Sequence, residues 1–378
     1  MRIFYLYLAV WIMPLTSAVW FISGFNVGIS NLALNYLTGL LLSLFVMSAL
    51  FTFIYPKNLP RASIIRKFNP AKSIKLQRQM VIIWYILFVL EVLYSGGVPV
   101  FWDGHRGYGE FGIPTIHGFS NMLRSILFSN LVLLYLVGIR VPRWITIMTV
   151  ATLLIALILE QSRGAFVMTL VFSIGPAAIF MKLSLKKLIK YGVYFVLLAA
   201  IFSSFQFIRY ADSPLEEIAL IFELVLSGGS YKYLIEPIAN YIATPILNAG
   251  LNLDTVSNFR FFPEETLKPL VPSVIRDALF HSVEKDYGVL LNEAFNTTTY
   301  VTPFVRDYGL VGGFMTINAF FFYCNYVFAK ARYGSVEHII KLSPLMMCLA
   351  LSFFTSYITS LITLMYILLS RTVARRMT

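Results

Sequence analysis

Charge is what this chain has least of: Asp, Glu, Lys and Arg make up 13% of its 378 residues, against 58% hydrophobic residues. With a mean hydropathy of +0.76, that balance excludes a single water-soluble core and leaves an integral membrane protein. Cysteine is nearly absent too. The two present, Cys324 and Cys348, fall in apolar stretches, so they offer no disulfide framework, no metal-ligand spacing and no information on compartment. Also missing are a Walker A string, His-Glu-x-x-His, Cys-x-x-Cys and Gly-x-Ser-x-Gly, which removes support for nucleotide hydrolysis, a zinc site and a serine hydrolase. No repeat with a period of about 20 to 50 residues, no sustained heptad pattern and no low-complexity segment interrupts the chain.

What the chain has is long apolar runs. A spanning helix needs about 20 apolar residues, because lipid offers no partner to a free backbone N–H or C=O and a helix satisfies both internally. The runs that qualify are 3–22, 31–54, 80–95, 119–139, 144–160, 165–181, 190–208, 305–329, 339–354 and 357–372. The last two read as one long helix or as a hairpin turning near Thr355-Ser356, and charge decides between them. With the N-terminus inside, segments 1–2, 56–79, 140–143, 182–190, 330–341 and 371–378 hold 20 of the 30 Lys and Arg but one of the 18 Asp and Glu, Glu337. A hairpin keeps Arg371, Arg375 and Arg376 on that basic inner side. The sequence thus predicts an all-α polytopic membrane protein of about 10 transmembrane helices with both termini cytoplasmic. The net charge of +12 then reports topology, and nucleic acid is not a predicted partner. Leu15-Thr16-Ser17-Ala18 resembles a signal-peptide cleavage region, but span follows span, so it reads as an uncleaved first helix.

One long polar interval stays on the outer side. It divides the chain into residues 1–208 with spans 1 to 7, a large loop 209–302, and residues 303–378 with spans 8 to 10. In the loop, Leu215, Ile218, Ala219, Phe222 and Leu226 share a helical face with Glu216, Glu217 and Glu223 off it, which predicts an amphipathic helix on the bilayer surface or against the bundle. After Ser227-Gly228-Gly229-Ser230 a second helix is predicted over 231–243, then irregular chain to about 275. Loop aromatics, among them Tyr231, Tyr233, Tyr241, Phe259, Phe261 and Phe262, read as loop-core packing or as platforms for sugar faces.

Charged groups in or beside lipid cost about 2.5 to 3.5 kcal/mol each at a helix centre, so each needs a reason. Arg163 lies in Glu160-Gln161-Ser162-Arg163-Gly164, a tight outward turn between two spans. It either pairs with Glu160 and snorkels, or aims a guanidinium at an anionic headgroup beside Gly164. Arg209 ends the seventh span and Arg306-Asp307 begin the eighth. Arg124, near the outer start of the fourth, reads as an interfacial anchor. Together with Arg260 and Arg276 these fixed cations point to a phosphate-bearing substrate, because arginine recognises phosphate through paired donors. The diphosphate-binding set is Arg163, Arg209, Arg276, Arg306 and Arg260. Proton-transfer candidates are His281, Glu293 and Asp307, the last an alternative partner of Arg306 or a helix cap; His105 is a further outer-loop histidine. Glu91, inside the third span, reads as a structural partner of another helix or as a catalytic group. No carboxylate cluster has metal-ligand spacing, so neither metal nor cofactor is expected.

Phe295-Asn296-Thr297-Thr298-Thr299-Tyr300, followed by Asp307-Tyr308-Gly309-Leu310-Val311-Gly312-Gly313 opening a span, resembles the segment after the large periplasmic loop of bacterial oligosaccharide repeat-unit polymerases, the Wzy-type O-antigen polymerases. Ser162-Arg163-Gly164 between two closely spaced spans does the same. The resemblance implies a GT-C-like glycosyltransferase of the bacterial inner membrane, acting in the periplasmic leaflet on undecaprenyl-diphosphate-linked oligosaccharides. Membrane lipids and a chain-length regulator protein are its implied partners. No residue carries over as a catalytic base. An O-antigen ligase shares the donor and differs in acceptor; a lipid-linked oligosaccharide flippase is the non-enzymatic alternative, which favours two similar halves and short loops.

Overall fold

The computed structural model describes residues 2–20, 29–55, 60–102, 110–160, 162–180, 232–272, 275–276, 279, 288–291 and 297–378. Among them the regular structure is entirely helical. The chain forms α1 (Arg2–Trp20), α2 (Asn31–Ile54), α3 (Arg61–Ile65), α4 (Pro70–Ser95), α5 (Ile116–Leu136) and α6 (Arg143–Leu154), which continues as a π-helix, Ile155–Leu159. Then come α7 (Arg163–Phe172), α8 (Ile174–Phe180), α9 (Lys232–Thr255), α10 (Glu264–Leu267), α11 (Val301–Arg332), α12 (Val336–Ala350) and α13 (Leu361–Met377).

Four of these helix regions, Asn31–Ile54, Pro70–Phe101, Ile116–Leu136 and Val301–Arg332, are long and apolar enough to cross a membrane. Their burial pattern suits lipid. On α2 a single stripe, Ala33, Leu37, Leu40, Leu44 and Ser48, faces inward, while Leu42, Leu50 and Phe53 are exposed. On α4 the polarity is inverted relative to a soluble helix: Ser73, Gln77 and Glu91 are buried while Ile82, Ile83, Ile86 and Leu93 are exposed, as expected where the surrounding solvent is hydrocarbon. The innermost element is α12, with twelve of its fifteen residues buried. It packs against α1, α7, α8, α11 and α13, and at Gly175 of α8 an added Cβ would lie 2.5 Å from the Ser343 backbone nitrogen.

Three of the basic segments, 56–79, 330–341 and 371–378, meet at one end of the bundle. Asn69 N–H and the Ser73 hydroxyl both donate to the Met377 carbonyl, at 2.8 and 3.1 Å, and Lys67 Nζ donates to the Gly334 carbonyl at 2.8 Å. The starts of α4 and α12 and the end of α13 therefore share one face, where these segments bring 13 of the 30 Lys and Arg.

Three expectations change. The C-terminal pair is a hairpin, but α12 and α13 are separated by the ten residues 351–360, eight half-buried and two buried, rather than by a tight turn at Thr355-Ser356. The loop helix predicted to end at 243 runs to Thr255, and residues 243–250 are buried because α9 packs against α1, α2 and α11. Loop-core packing fails for Phe259, Phe261 and Phe262, which are exposed. The amphipathic stretch 215–226 and the seventh span, 190–208, lie outside the described residues.

Candidate functional site

At the end opposite the basic one, the chain after α9 docks onto a broken helix. Within α11, Gly309 has φ 75° and ψ 179°, conformations that a residue with a Cβ rarely adopts. The break turns backbone groups outward. Leu310 N–H donates to the Ser257 carbonyl at 3.1 Å and Val311 N–H to Asn258 at 3.0 Å, while Phe262 N–H donates to the Asp307 carbonyl at 2.8 Å and Arg260 N–H to Tyr308 at 3.4 Å. A Cβ on Gly309 would lie 2.6 Å from the Asn258 oxygen, so glycine is required by both conformation and space.

The Asp307 carboxylate secures the next turn of loop. It accepts from Glu265 N–H at 3.1 Å, from Thr266 N–H at 2.7 Å and from the Thr266 hydroxyl at 2.7 Å, satisfying donors at the start of α10 that have no partner inside that helix. The expected cap is thus real but serves α10 instead of Asp307's own helix. Arg306 lies 3.8 Å from Glu265, and the Arg260 guanidinium stands 5.9 Å from the centre of the Phe262 ring. Deeper along α9, Asn248 and Asn252 act as surrogate peptide groups for the returning chain. Asn248 accepts from Leu291 N–H and donates to the Thr297 carbonyl, each at 2.8 Å; Asn252 accepts from Val289 N–H at 3.2 Å and donates to its carbonyl at 2.9 Å.

A second polar constellation lies at the same end, between α4, α5 and the π-helix. His117, Asn121 and Arg124 occupy one face of α5 at intervals of four and three residues. Arg124, fully buried, pairs with Glu160, itself 2% exposed; it also donates to Asn121 Oδ1 at 2.9 Å and stands 5.0 Å from the centre of the Trp84 indole. Asn121 Nδ2 is 3.0 Å from His117 Nε2, and His117 Nδ1 is 3.4 Å from Glu91 Oε2. The π-helix places Glu160: its N–H reaches back to Ile155, and Ser162 N–H to Ala156. Such bulges recur at functional sites.

These contacts revise the reading of Arg124, which is a buried ion-pair partner and not an interfacial anchor: opposite charge within hydrogen-bonding reach lets it leave water. Glu91, read as a structural partner of another helix or as a catalytic group, has His117 of α5 as its cross-helix neighbour. The sequence reading passed over His117 altogether, though its spacing from Asn121 and Arg124 was a visible polar stripe. Of the candidates, Arg260, Arg306 and Asp307 come together at the docked loop, and Arg276 follows in the same segment, with its N–H donating to the Pro272 carbonyl at 2.8 Å. Arg163 opens α7 directly after its N-cap, Ser162. Arg209, His281, Glu293 and His105 lie outside the described residues. No family model, curated protein or solved structure matches this chain.

Proposed function

We propose that this protein is a membrane glycosyltransferase that polymerises undecaprenyl-diphosphate-linked oligosaccharide repeat units into O-antigen or a related surface polysaccharide. In this reading it has ten spans in a GT-C-like arrangement, and its site opens to the periplasmic leaflet of the bacterial inner membrane. The observation that carries the reading is the docking of residues 257–262 on the break at Gly309, within the segment that resembles the polymerases. That docking fixes Arg260 and Arg306 at the end of the bundle opposite the basic segments.

The chemistry follows from the charge that develops. A sugar hydroxyl of one lipid-linked unit attacks the anomeric carbon of another chain, the bond to the diphosphate breaks, and undecaprenyl diphosphate leaves with the electron pair. Arginines held in place before the reaction stabilise that growing negative charge without reorganising. Arg163, Arg209, Arg260, Arg276 and Arg306 are the proposed set. His281, Glu293 or Asp307 assists removal of the hydroxyl proton; of these Asp307 already accepts three hydrogen bonds from α10 and Thr266.

The test is reconstitution of purified protein with a synthetic undecaprenyl-diphosphate-linked repeat unit. A ladder of lipid-linked products is expected, reduced at least about tenfold in rate when Arg306→Lys removes paired donors but keeps charge. Folded protein that leaves the substrate unchanged overturns the reading. Transfer to lipid A core, in place of lipid-linked growth, identifies a ligase.

A further inference from the structure

The buried polar stripe on α5 has a direction. An asparagine amide offers one oxygen and one NH2 group, and here the oxygen is taken by Arg124 Nη1 at 2.9 Å. The NH2 group therefore faces His117 Nε2 at 3.0 Å. An NH2 group can only donate, so Nε2 accepts and bears no proton, and the ring proton resides on Nδ1, toward Glu91. Arg124, acting through Asn121, thus orients the amide that faces His117.

Charge balance then isolates Glu91. Arg124 and Glu160 neutralise each other, whereas Glu91 is 0% exposed and, among the described residues, neither of its oxygens accepts a hydrogen bond. Ionised beside a neutral imidazole, it would be a buried charge with no unpaired opposite charge in this cluster of described residues, a costly state in a low-dielectric interior. Among the described residues, the titratable and charged groups of this cluster are His117 and Arg124 on α5 and Glu160 at the end of the π-helix; residues 103–109, with His105 and Arg106, lie outside the described residues. The arginines of α13 lie at the basic end. The surroundings are built to hold the ring. Gly112, at φ 96°, comes so close that a Cβ there would lie 2.6 Å from the imidazole, its N–H donates to Ser95 Oγ at 2.8 Å, and Phe111 meets the ring edge-on at 5.5 Å.

We propose that Glu91 and His117 form a proton-binding site within the bundle, in which Glu91 holds the proton while Asn121 keeps His117 neutral. His117, with 29% of its side chain exposed, stands between this buried acid and the surface, so the pair is placed to exchange one proton with groups arriving at that end. The site stands independently of the glycosyl-transfer reading. Removing the Asn121 donor frees Nε2: the imidazole gains a proton there from solvent and Glu91 gives one up, leaving the total charge unchanged.

Infrared spectroscopy of carbon-13 glutamate-labelled protein, with nitrogen-15 NMR of the histidines, tests this. Wild type should show a protonated-carboxyl band that disappears in E91Q and persists in E110Q, a change at an exposed carboxylate. N121A should lose the same band while His117 becomes doubly protonated; should N121A fail to fold, the isosteric N121D imposes the same change by accepting from Nε2–H. A wild-type spectrum with no acid band assignable to Glu91, or with His117 already doubly protonated, overturns the proposal.

Discussion

Removing one partner of the Arg124–Glu160 pair should be among the most damaging single changes in this bundle. The two side chains are 0% and 1% exposed, so Arg124→Met leaves the Glu160 carboxylate, and Glu160→Gln leaves the guanidinium, buried without its counter-charge. The expected loss is about 3 to 5 kcal/mol for either variant. R124M should be the worse of the two, because it also removes the bond to Asn121 and the cation beside Trp84, the latter adding about 0.5 to 2 kcal/mol. The double variant strands no charge and should recover on the order of 2 to 3 kcal/mol of the summed losses, within the coupling range for residues in contact. Reversible unfolding of the purified protein in one fixed detergent measures all four corners of the cycle. Single variants within about 0.5 kcal/mol of wild type, the range of an exposed pair, or strictly additive losses, would refute the burial and pairing assigned here.

Other predictions are equally local. Gly309→Ala forces a residue with a Cβ to φ 75° and against Asn258, so residues 257–262 should undock; limited proteolysis should cut there faster than in wild type, and an unchanged cleavage pattern counts against the docking. Gly175→Ala places a methyl group 2.5 Å from the Ser343 nitrogen, and should cost about 1 to 3 kcal/mol by spreading α8 from α12; unaltered stability excludes that close crossing. If arginines carry the diphosphate charge, chelators should leave polymerisation intact, and loss of activity restored by magnesium or manganese assigns that task to a metal instead.

Much of the architecture was legible because lipid imposes simple rules. The second span, 31–54, coincides with α2, since a continuous apolar run with a capping serine before it admits one solution. The shared basic end was legible from charge alone. The extension of α9 was not: Asn248, Asn252 and Asp254 have the composition of a loop, yet their side chains bind the returning backbone at 289–291 and 297 and, for Asp254, the Ser30 hydroxyl at 2.7 Å. Tertiary partners override the local signal there. The same holds for the site. Gly309 and Asp307 stood out as a motif, but nothing local says that one breaks the helix and the other caps α10. Arg124 was misread because its partner Glu160 is 36 residues away, whereas the spacing of His117, Asn121 and Arg124 on one face was a signal present in the sequence itself.

In the proposed orientation the docked loop and the basic end face opposite sides of a membrane, which side-specific labelling can read. Single cysteines introduced by N258C, K72C and R376C, in a background where Cys324 and Cys348 are replaced by serine, can be probed with a membrane-impermeant thiol reagent in intact cells and again after lysis. Labelling of N258C is expected in intact cells, and of K72C and R376C only after lysis. Protection of N258C until lysis, with K72C or R376C labelled from outside, would contradict the orientation and with it the proposed periplasmic site.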